Sequence, residues 1–360
     1  MKISIILGTR PEIIKMSPVI RECEKQNLDY FILHTGQHYS YNLDKIFFDD
    51  LELQAAKYNL DVGSGTHAEE TGKMLIGIEN ALKEEKPDVV LVEGDTNTVL
   101  AGALAAVKLG VKVGHVEAGL RSYDRTMPEE INRVLADHIS DYLFAPTEEA
   151  KKNLLREGVE ENKIFVTGNT IVDAVYQNLE IAKRKVDILK KLNLTSKEYF
   201  LVTAHRQENV DIKERLKGIL DGLELVYLEF NLPIIYPIHP RTMKRIKEFG
   251  LEVPNGVELI ESLGFLEFLQ LEVNATLVLT DSGGVQEETC ILKVPCVTLR
   301  DSTERPETLE VGSNVLAGVN QNMILRATEE MLSRDNNWNN LFGDGKAGSR
   351  TIKILEGAIK

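Results

Sequence analysis

Acids, a histidine and a pair of glycines stand in this chain where they could do chemistry. Asp281-Ser282-Gly283-Gly284 joins two glycines to a hydroxyl, with Glu287 and Glu288 about a turn later. Glycines opening a helix let backbone N–H groups approach a phosphate, with the helix dipole behind them. The following acids could accept from ribose hydroxyls. The same letters fit a plain strand-to-helix turn, and the Ser282 hydroxyl favours the phosphate reading. Gly8-Thr9-Arg10-Pro11-Glu12, then Lys15, repeats the logic. Pro11 suits a first helical turn, and a cation beside a helix start makes sense if an anion sits there. Asp95, Glu117 and Glu129 come from three different loops. Carboxylates crowded together have raised pKa values and can take or give protons. Asp95 before Thr96 also suits a helix cap, and Glu129 a first helical turn. His205-Arg206 and His239-Pro240-Arg241 each follow an apolar run. Arg305 lies in a charged loop and reads equally well as a salt-bridged surface residue.

Every one of these groups follows a predicted strand or opens the helix after one. Strands are expected at Ile3–Leu7, Tyr30–His34, Val89–Val92, Lys112–Val116, Tyr142–Ala145 and Ile164–Thr167. A second series is expected at Phe200–Thr203, Ile234–Ile238, Val257–Ile260, Thr276–Leu279 and Cys296–Leu299. Runs such as Val89-Val90-Leu91-Val92 lack polar alternation, as strands buried on both faces do. Helix-length segments lie between them: Ala68–Glu85, Thr96–Leu109 and Lys213–Glu229. The alternation predicts an α/β fold with parallel sheets and right-handed crossovers. Ligands of such sheets bind beyond the strands' carboxyl ends, and two sheets facing each other would make one cleft. A long charged helix, Ile171–Leu192, divides the strands into two similar sets. The division expected is residues 1–168 and 169–345, with a terminal helix in 346–360 returning to the first domain.

A length of 360 residues suits about two domains. The 42 Lys and Arg against 56 Asp and Glu give a net charge of −14, the wrong sign for a nucleic-acid coat or an anionic-membrane binder. Cys23, Cys290 and Cys296 are too few for a disulfide scaffold and read as buried. No apolar run approaches a membrane span, and Met1 reads as the start of a strand in a cytoplasmic protein. Gly343-Asp344-Gly345-Lys346-Ala347-Gly348 matches a dinucleotide fingerprint by letters, but no strand precedes it. The residues describe a two-domain α/β enzyme for a phosphorylated ligand, with neither a dinucleotide cofactor nor a metal.

These residues resemble the non-hydrolysing UDP-N-acetylglucosamine 2-epimerases. The matching blocks are Gly8–Glu12 with Lys15, Gly94-Asp95-Thr96, His115–Arg121, Pro128-Glu129-Glu130 with Asn132-Arg133, and Thr167–Thr170. They continue with His205-Arg206, Asp281–Glu288 and Thr303–Glu307, in family order over nearly the whole chain. The resemblance implies a GT-B-type fold, two Rossmann-like domains around a cleft, and a homodimer. It implies interconversion of UDP-GlcNAc and UDP-ManNAc, a precursor of surface polysaccharide, by elimination of UDP to 2-acetamidoglucal and re-addition. By the same resemblance Asp95, Glu117 and Glu129 serve as acid/base groups, and His205 assists the departing UDP. Arg10, Ser282, Gly283 and Gly284 hold the diphosphate, Glu288 the ribose, and Phe268 lies by the uracil. Lys15, Arg133, His239, Leu263 and Arg305 are further nucleotide-sugar contacts. One departure is Gln37-His38-Tyr39, where bacterial members often carry Gln-His-Arg linked to a second, activating UDP-GlcNAc.

The rival readings are an epimerase of another UDP-2-acetamido sugar, a hydrolysing relative, a GT-B glycosyltransferase and a non-catalytic nucleotide-sugar sensor. The assignment of each carboxylate to a face of the sugar stays open.

Overall fold

The computed structural model describes residues 1–36 and 41–359, with backbone alone for 41–45; Gln37-His38-Tyr39 lies outside them. Strands β1 (Lys2–Leu7), β2 (Asp29–His34), β3 (Tyr58–Asn59), β4 (Val89–Glu93), β5 (Lys112–Val116), β6 (Tyr142–Ala145) and β7 (Ile164–Val166) form one parallel sheet. Its order is β3-β2-β1-β4-β5-β6-β7. Strands β8 (Phe200–Thr203), β9 (Ile234–Pro237), β10 (Val257–Ile260), β11 (Leu277–Thr280), β12 (Cys296–Thr298) and β13 (Asn314–Leu316) form a second, in order β10-β9-β8-β11-β12-β13. Every pairing in it is parallel as well.

The apolar runs are central because they are apolar on both faces. All of β4 is buried, with Val90 and Val92 packing on Met74, Ile78 and Val99 of the covering helices. In the second sheet Phe200, Val202, Leu277 and Leu279 pack with Leu216, Ile219 and Leu223 of the helix Lys213–Phe230. Each such side chain contributes roughly 1.5–3 kcal/mol of burial free energy.

Packing divides the chain into two units, Met1–Gln177 with Phe342–Lys360, and Asn178–Leu341. The dividing point falls inside the helix Thr170–Lys185. The terminal helix Ala347–Ala358 belongs to the first unit, where Asp173 accepts from the amides of Ala347 and Gly348 at 3.1 and 3.0 Å.

The structure corrects two expectations. The helix expected over 171–192 breaks after Lys185, and a short helix, Ile188–Lys191, follows. Asp187 caps it and the Ile188 amide donates to the Gln270 side chain, a local polar alternative to continuing the helix. The strands β3 and β13, of two and three residues, were absent from the expected list because such short segments carry no periodicity. Burial raises all three cysteine thiols, those of Cys23 and Cys296 to about 12. No helix among the described residues is long and apolar enough to cross a membrane.

Candidate active site

Each sheet reverses its strand order near the middle. β1 lies between β2 and β4, and β8 lies between β9 and β11. The crevice beyond the strand ends at such a reversal is where parallel α/β sheets bind ligands. Strands β1 and β4 run into Gly8-Thr9-Arg10 and Gly94-Asp95; β8 and β11 run into Ala204-His205 and Asp281-Ser282.

In the first unit, Glu12 joins two of these loops. Its carboxylate accepts from the amides of Gly8 and Thr9 at 2.5 and 3.1 Å and from the Thr96 hydroxyl. Burial nevertheless pushes its pKa up to about 7. One turn along the helix Arg10–Lys25, Lys15 extends to the end of the sheet. Its Nζ lies 2.5 Å from Glu117 Oε2 and 3.3 Å from Glu93 Oε1. Arg10, half-buried, stacks its guanidinium 5.2 Å from the Phe47 ring centre.

Asp95 follows β4 and does not cap the next helix, whose cap is Thr96. Its carboxylate pairs with Arg133 at 2.5 Å, and its carbonyl accepts from Asn132 at 2.9 Å. Both partners lie on the helix Pro128–Ile139. Glu129 sits exposed in the first turn of that helix, as expected of its sequence. Its neighbour Glu130 is buried and accepts from the amides of Ser122 and Tyr123 and from Arg133. Those bonds hold its pKa down against the cost of burial.

The loop carrying Glu117 is held from beneath. His115, buried on β5, presents Nδ1 to Asp137 at 2.7 Å and Nε2 to the Gly94 carbonyl at 2.8 Å. Both ring nitrogens face acceptors, so the imidazolium is the form that satisfies them. Burial lowers the His115 pKa, but Asp137 and Gly94 outweigh it and the net direction is up. Asp137 also accepts from the Gly119 amide at 3.1 Å and pairs with Arg121 at 2.7 Å. Glu117 itself has φ 68°, a left-handed conformation that costs a side-chain-bearing residue roughly 1–2 kcal/mol. Gly119, at φ 83°, has no room for a side chain: a Cβ would lie 2.4 Å from the Ala150 carbonyl oxygen.

In the second unit, buried Asp281 does similar work. Its carboxylate accepts from the His205 and Arg206 amides and the Asn209 side chain, at 2.9–3.1 Å. His205 is exposed on this loop, its ring centre 6.2 Å from that of His239. His239 caps the helix Pro240–Phe249. Ser282 caps the helix Gly283–Leu292, so Gly283 and Gly284 supply its first amides. Arg305 pairs with Glu287 at 2.7 Å, as its salt-bridged reading anticipated. Leu263 and Phe268 are half-buried against the core beside β10 and β11. Glu288 meets a second acid, Glu272, which is fully buried on the helix Phe265–Asn274. No nitrogen or hydroxyl donor among the described residues reaches either Glu272 oxygen. Burial drives both pKa values up, reinforced at Glu272 by the charge of Glu288 and at Glu288 by that of Glu287, while the contact with Glu272 pulls Glu288 the other way.

Sequence reasoning named Asp95, Glu117, Glu129 and Lys15, and the structure ties their loops together. Asp95 and Glu117 join through the Gly94–His115 bond, and the Glu129 helix joins Asp95 through Asn132 and Arg133. The residues beneath them, Glu12, Glu93, His115, Glu130 and Asp137, were not singled out, nor was Glu272 in the second unit. Glu12, His115 and Glu130 stood inside the quoted blocks as unassigned letters, and Glu93 between the strand Val89–Val92 and Gly94. Asp137 and Glu272 carry no sequence signal.

The chain thus holds two Rossmann-like parallel units, with acids at one switch point and a Ser-Gly-Gly helix start suited to a phosphate at the other. The sequence pattern of the UDP-N-acetylglucosamine 2-epimerases matches residues 21–356. The chain is 63% identical to the UDP-N-acetylglucosamine 2-epimerase of Methanocaldococcus jannaschii over 99% of both chains. It is 43% identical to the UDP-2,3-diacetamido-2,3-dideoxy-D-glucuronate 2-epimerase of Pseudomonas aeruginosa, again over 99% of both. The crystal structure of the M. jannaschii enzyme in complex with UDP-GlcNAc and UDP superposes with a TM-score of 0.87, at 63% identity, covering 99% of this chain and 100% of that one. The chain belongs to the UDP-N-acetylglucosamine 2-epimerase family.

Proposed function

We propose that this chain is a non-hydrolysing epimerase that interconverts UDP-GlcNAc and UDP-ManNAc by elimination and re-addition of UDP. A base removes the proton on carbon 2 while the bond from carbon 1 to the UDP oxygen breaks. The product is 2-acetamidoglucal plus UDP. Return of UDP to carbon 1 and of a proton to the other face of carbon 2 completes the exchange. No redox change occurs, so no hydride carrier is required. Asp95, Glu117 and Glu129 supply the acid/base groups, and His205 assists the departing diphosphate. Arg10, Ser282, Gly283 and Gly284 hold that diphosphate, and Glu288 accepts from the ribose. Phe268 and Leu263 lie by the base, with Lys15, Arg133, His239 and Arg305 as further contacts. The observation that carries the reading is the placement of Asp95 and Glu117 just beyond the ends of the neighbouring strands β4 and β5, in a chain matched to the family almost end to end.

Incubation with UDP-GlcNAc in heavy water, followed by NMR and mass spectrometry, tests it. UDP-ManNAc must appear, with deuterium at carbon 2 of both epimers. Free ManNAc and UDP would instead mark a hydrolysing enzyme. The Pseudomonas relative favours one second reading, a UDP-diacetamido uronic acid as substrate; the same assay run with both sugars separates the two. The reading also carries a homodimer in the cytoplasm. Light scattering on the purified chain tests it.

A further inference from the structure

Glu93 ends β4 with only 2% of its surface exposed. Its Oε1 lies 3.3 Å from Lys15 Nζ, which is closer still to Glu117, at 2.5 Å. The charged groups facing it are Lys15 and Glu12 from the helix Arg10–Lys25 and Glu117 from the loop after β5. One ammonium between two carboxyls offsets one negative charge. A second buried negative charge beside it is costly, and the cheaper state keeps a proton on the more buried acid.

We propose that Glu93 is a positioning residue of the epimerisation: it stands as a neutral carboxylic acid beneath Lys15, so the ammonium charge goes to Glu117 and keeps that carboxylate ionised. This rests on the acid/base role given to Glu117 above. An ionised Glu117 is the form that accepts a proton. Burial, opposed by Lys15 and reinforced by Glu117 and Glu12, holds the Glu93 carboxyl well above its ordinary range. When Glu93 finally ionises at high pH it competes for Lys15 and draws the ammonium away from Glu117. Stability follows the same linkage. The unfolded chain releases the Glu93 proton near 4.5, whereas the folded chain keeps it to higher pH, so folding weakens as pH rises between those two values. A glutamine cannot ionise and is free of that loss.

The test compares wild type, Glu93→Gln and Glu93→Ala from about pH 5 to about pH 10, by turnover of UDP-GlcNAc and by thermal unfolding. Glu93→Gln is expected to move the alkaline limb of kcat upward by about one pH unit or more. Its melting temperature should exceed that of wild type by a margin that widens as pH rises. Glu93→Ala is expected to lose tenfold to about a hundredfold in kcat, most of it restored in Glu93→Gln. The proposal is overturned if Glu93→Gln melts below wild type by a constant margin and is as impaired as Glu93→Ala at every pH. Glu93 would then be an ionised counter-ion of Lys15. If wild type leaves UDP-GlcNAc unchanged, the functional reading falls, while the melting comparison still decides the state of Glu93.

Discussion

Replacing Asp137 with alanine should loosen the first unit by about 3–5 kcal/mol at neutral pH, the usual cost of breaking a buried ion pair from one side. Asp137 is 1% exposed and takes hydrogen bonds from His115 Nδ1 at 2.7 Å, the Gly119 amide at 3.1 Å and Arg121 at 2.7 Å. Its removal deprives two buried cations of their shared counter-charge. His115 can respond by losing its proton. Arg121 cannot, but it keeps Glu157 at 2.6 Å, which limits the damage to the lower half of that range. A loss of 3 kcal/mol multiplies the opening constant by roughly 150. Hydrogen exchange of the β5 amides, Lys112–Val116, should therefore accelerate by two orders of magnitude or more. Trp338 is the single tryptophan and lies in the second unit, so its fluorescence transition serves as an internal control. The pH dependence follows from the two partners. His115 has a raised pKa, so its contribution is complete below 6.5 and fades as pH rises through the folded value. Asp137 has a lowered pKa, so its contribution is complete above 3.8 and fades as pH falls through the folded value. The gap between wild type and variant should be widest between those limits. A change in exchange below about fivefold, or a gap that is flat with pH, would refute the network as the support of the Glu117 loop.

Three further outcomes are expected. His205→Asn should lower kcat by about 10²-fold or more while the dissociation constant for UDP, measured by calorimetry, changes little; unchanged turnover would remove His205 from the mechanism. Gly119→Ala should destabilise far more than Gly94→Ala in denaturant titrations. Both have φ 83°, but only Gly119 would drive a Cβ into a carbonyl, whereas nothing lies within 4 Å of a Cβ at Gly94. Glu272→Gln should raise the melting temperature of the second unit at alkaline pH and leave it unchanged near pH 4, because the raised pKa of the wild-type pair weakens folding only above the ordinary carboxylate value. Trp338 fluorescence follows that transition, and an effect of equal size at both pH values would mean that Glu272 does not keep its proton above the ordinary carboxylate range.

The strands were legible because a strand buried on both faces must be apolar at successive positions, as β4 is. The chemical residues were legible because they follow those strands directly, so finding Val89–Val92 or Phe200–Thr203 also finds Asp95 or His205. The supports were not legible. Asp137 and Glu272 stand in amphipathic helices among other acids, and from sequence each reads as a solvated charge. Their burial depends on which helix face meets which strand end, a tertiary fact with no local pattern. The break at Val186-Asp187 was hidden for a related reason. Helical periodicity continues past it, and the Gln270 side chain that takes the Ile188 amide comes from a distant segment.

The same device recurs at both strand reversals. A buried carboxylate accepts backbone amides and fixes the loop that carries an exposed or half-buried reactive group. Glu12 holds Gly8 and Thr9, Asp137 holds Gly119, and Asp281 holds His205 and Arg206. A carboxylate is suited to this because it accepts from several donors at once, and charged acceptors make the stronger hydrogen bonds. Its cost is desolvation, seen in the raised pKa of Glu12. That cost has a use in the elimination proposed above. Abstracting a weakly acidic proton requires one acid to be ionised and another to be protonated at the same pH, and equivalent carboxyls in water would titrate together. Depth of burial is one way to separate them, and it holds Glu93 and Glu12 protonated to higher pH beneath the loops that carry the reactive groups. On the reading proposed above, the acids beneath the loops act by setting charge as well as by holding shape.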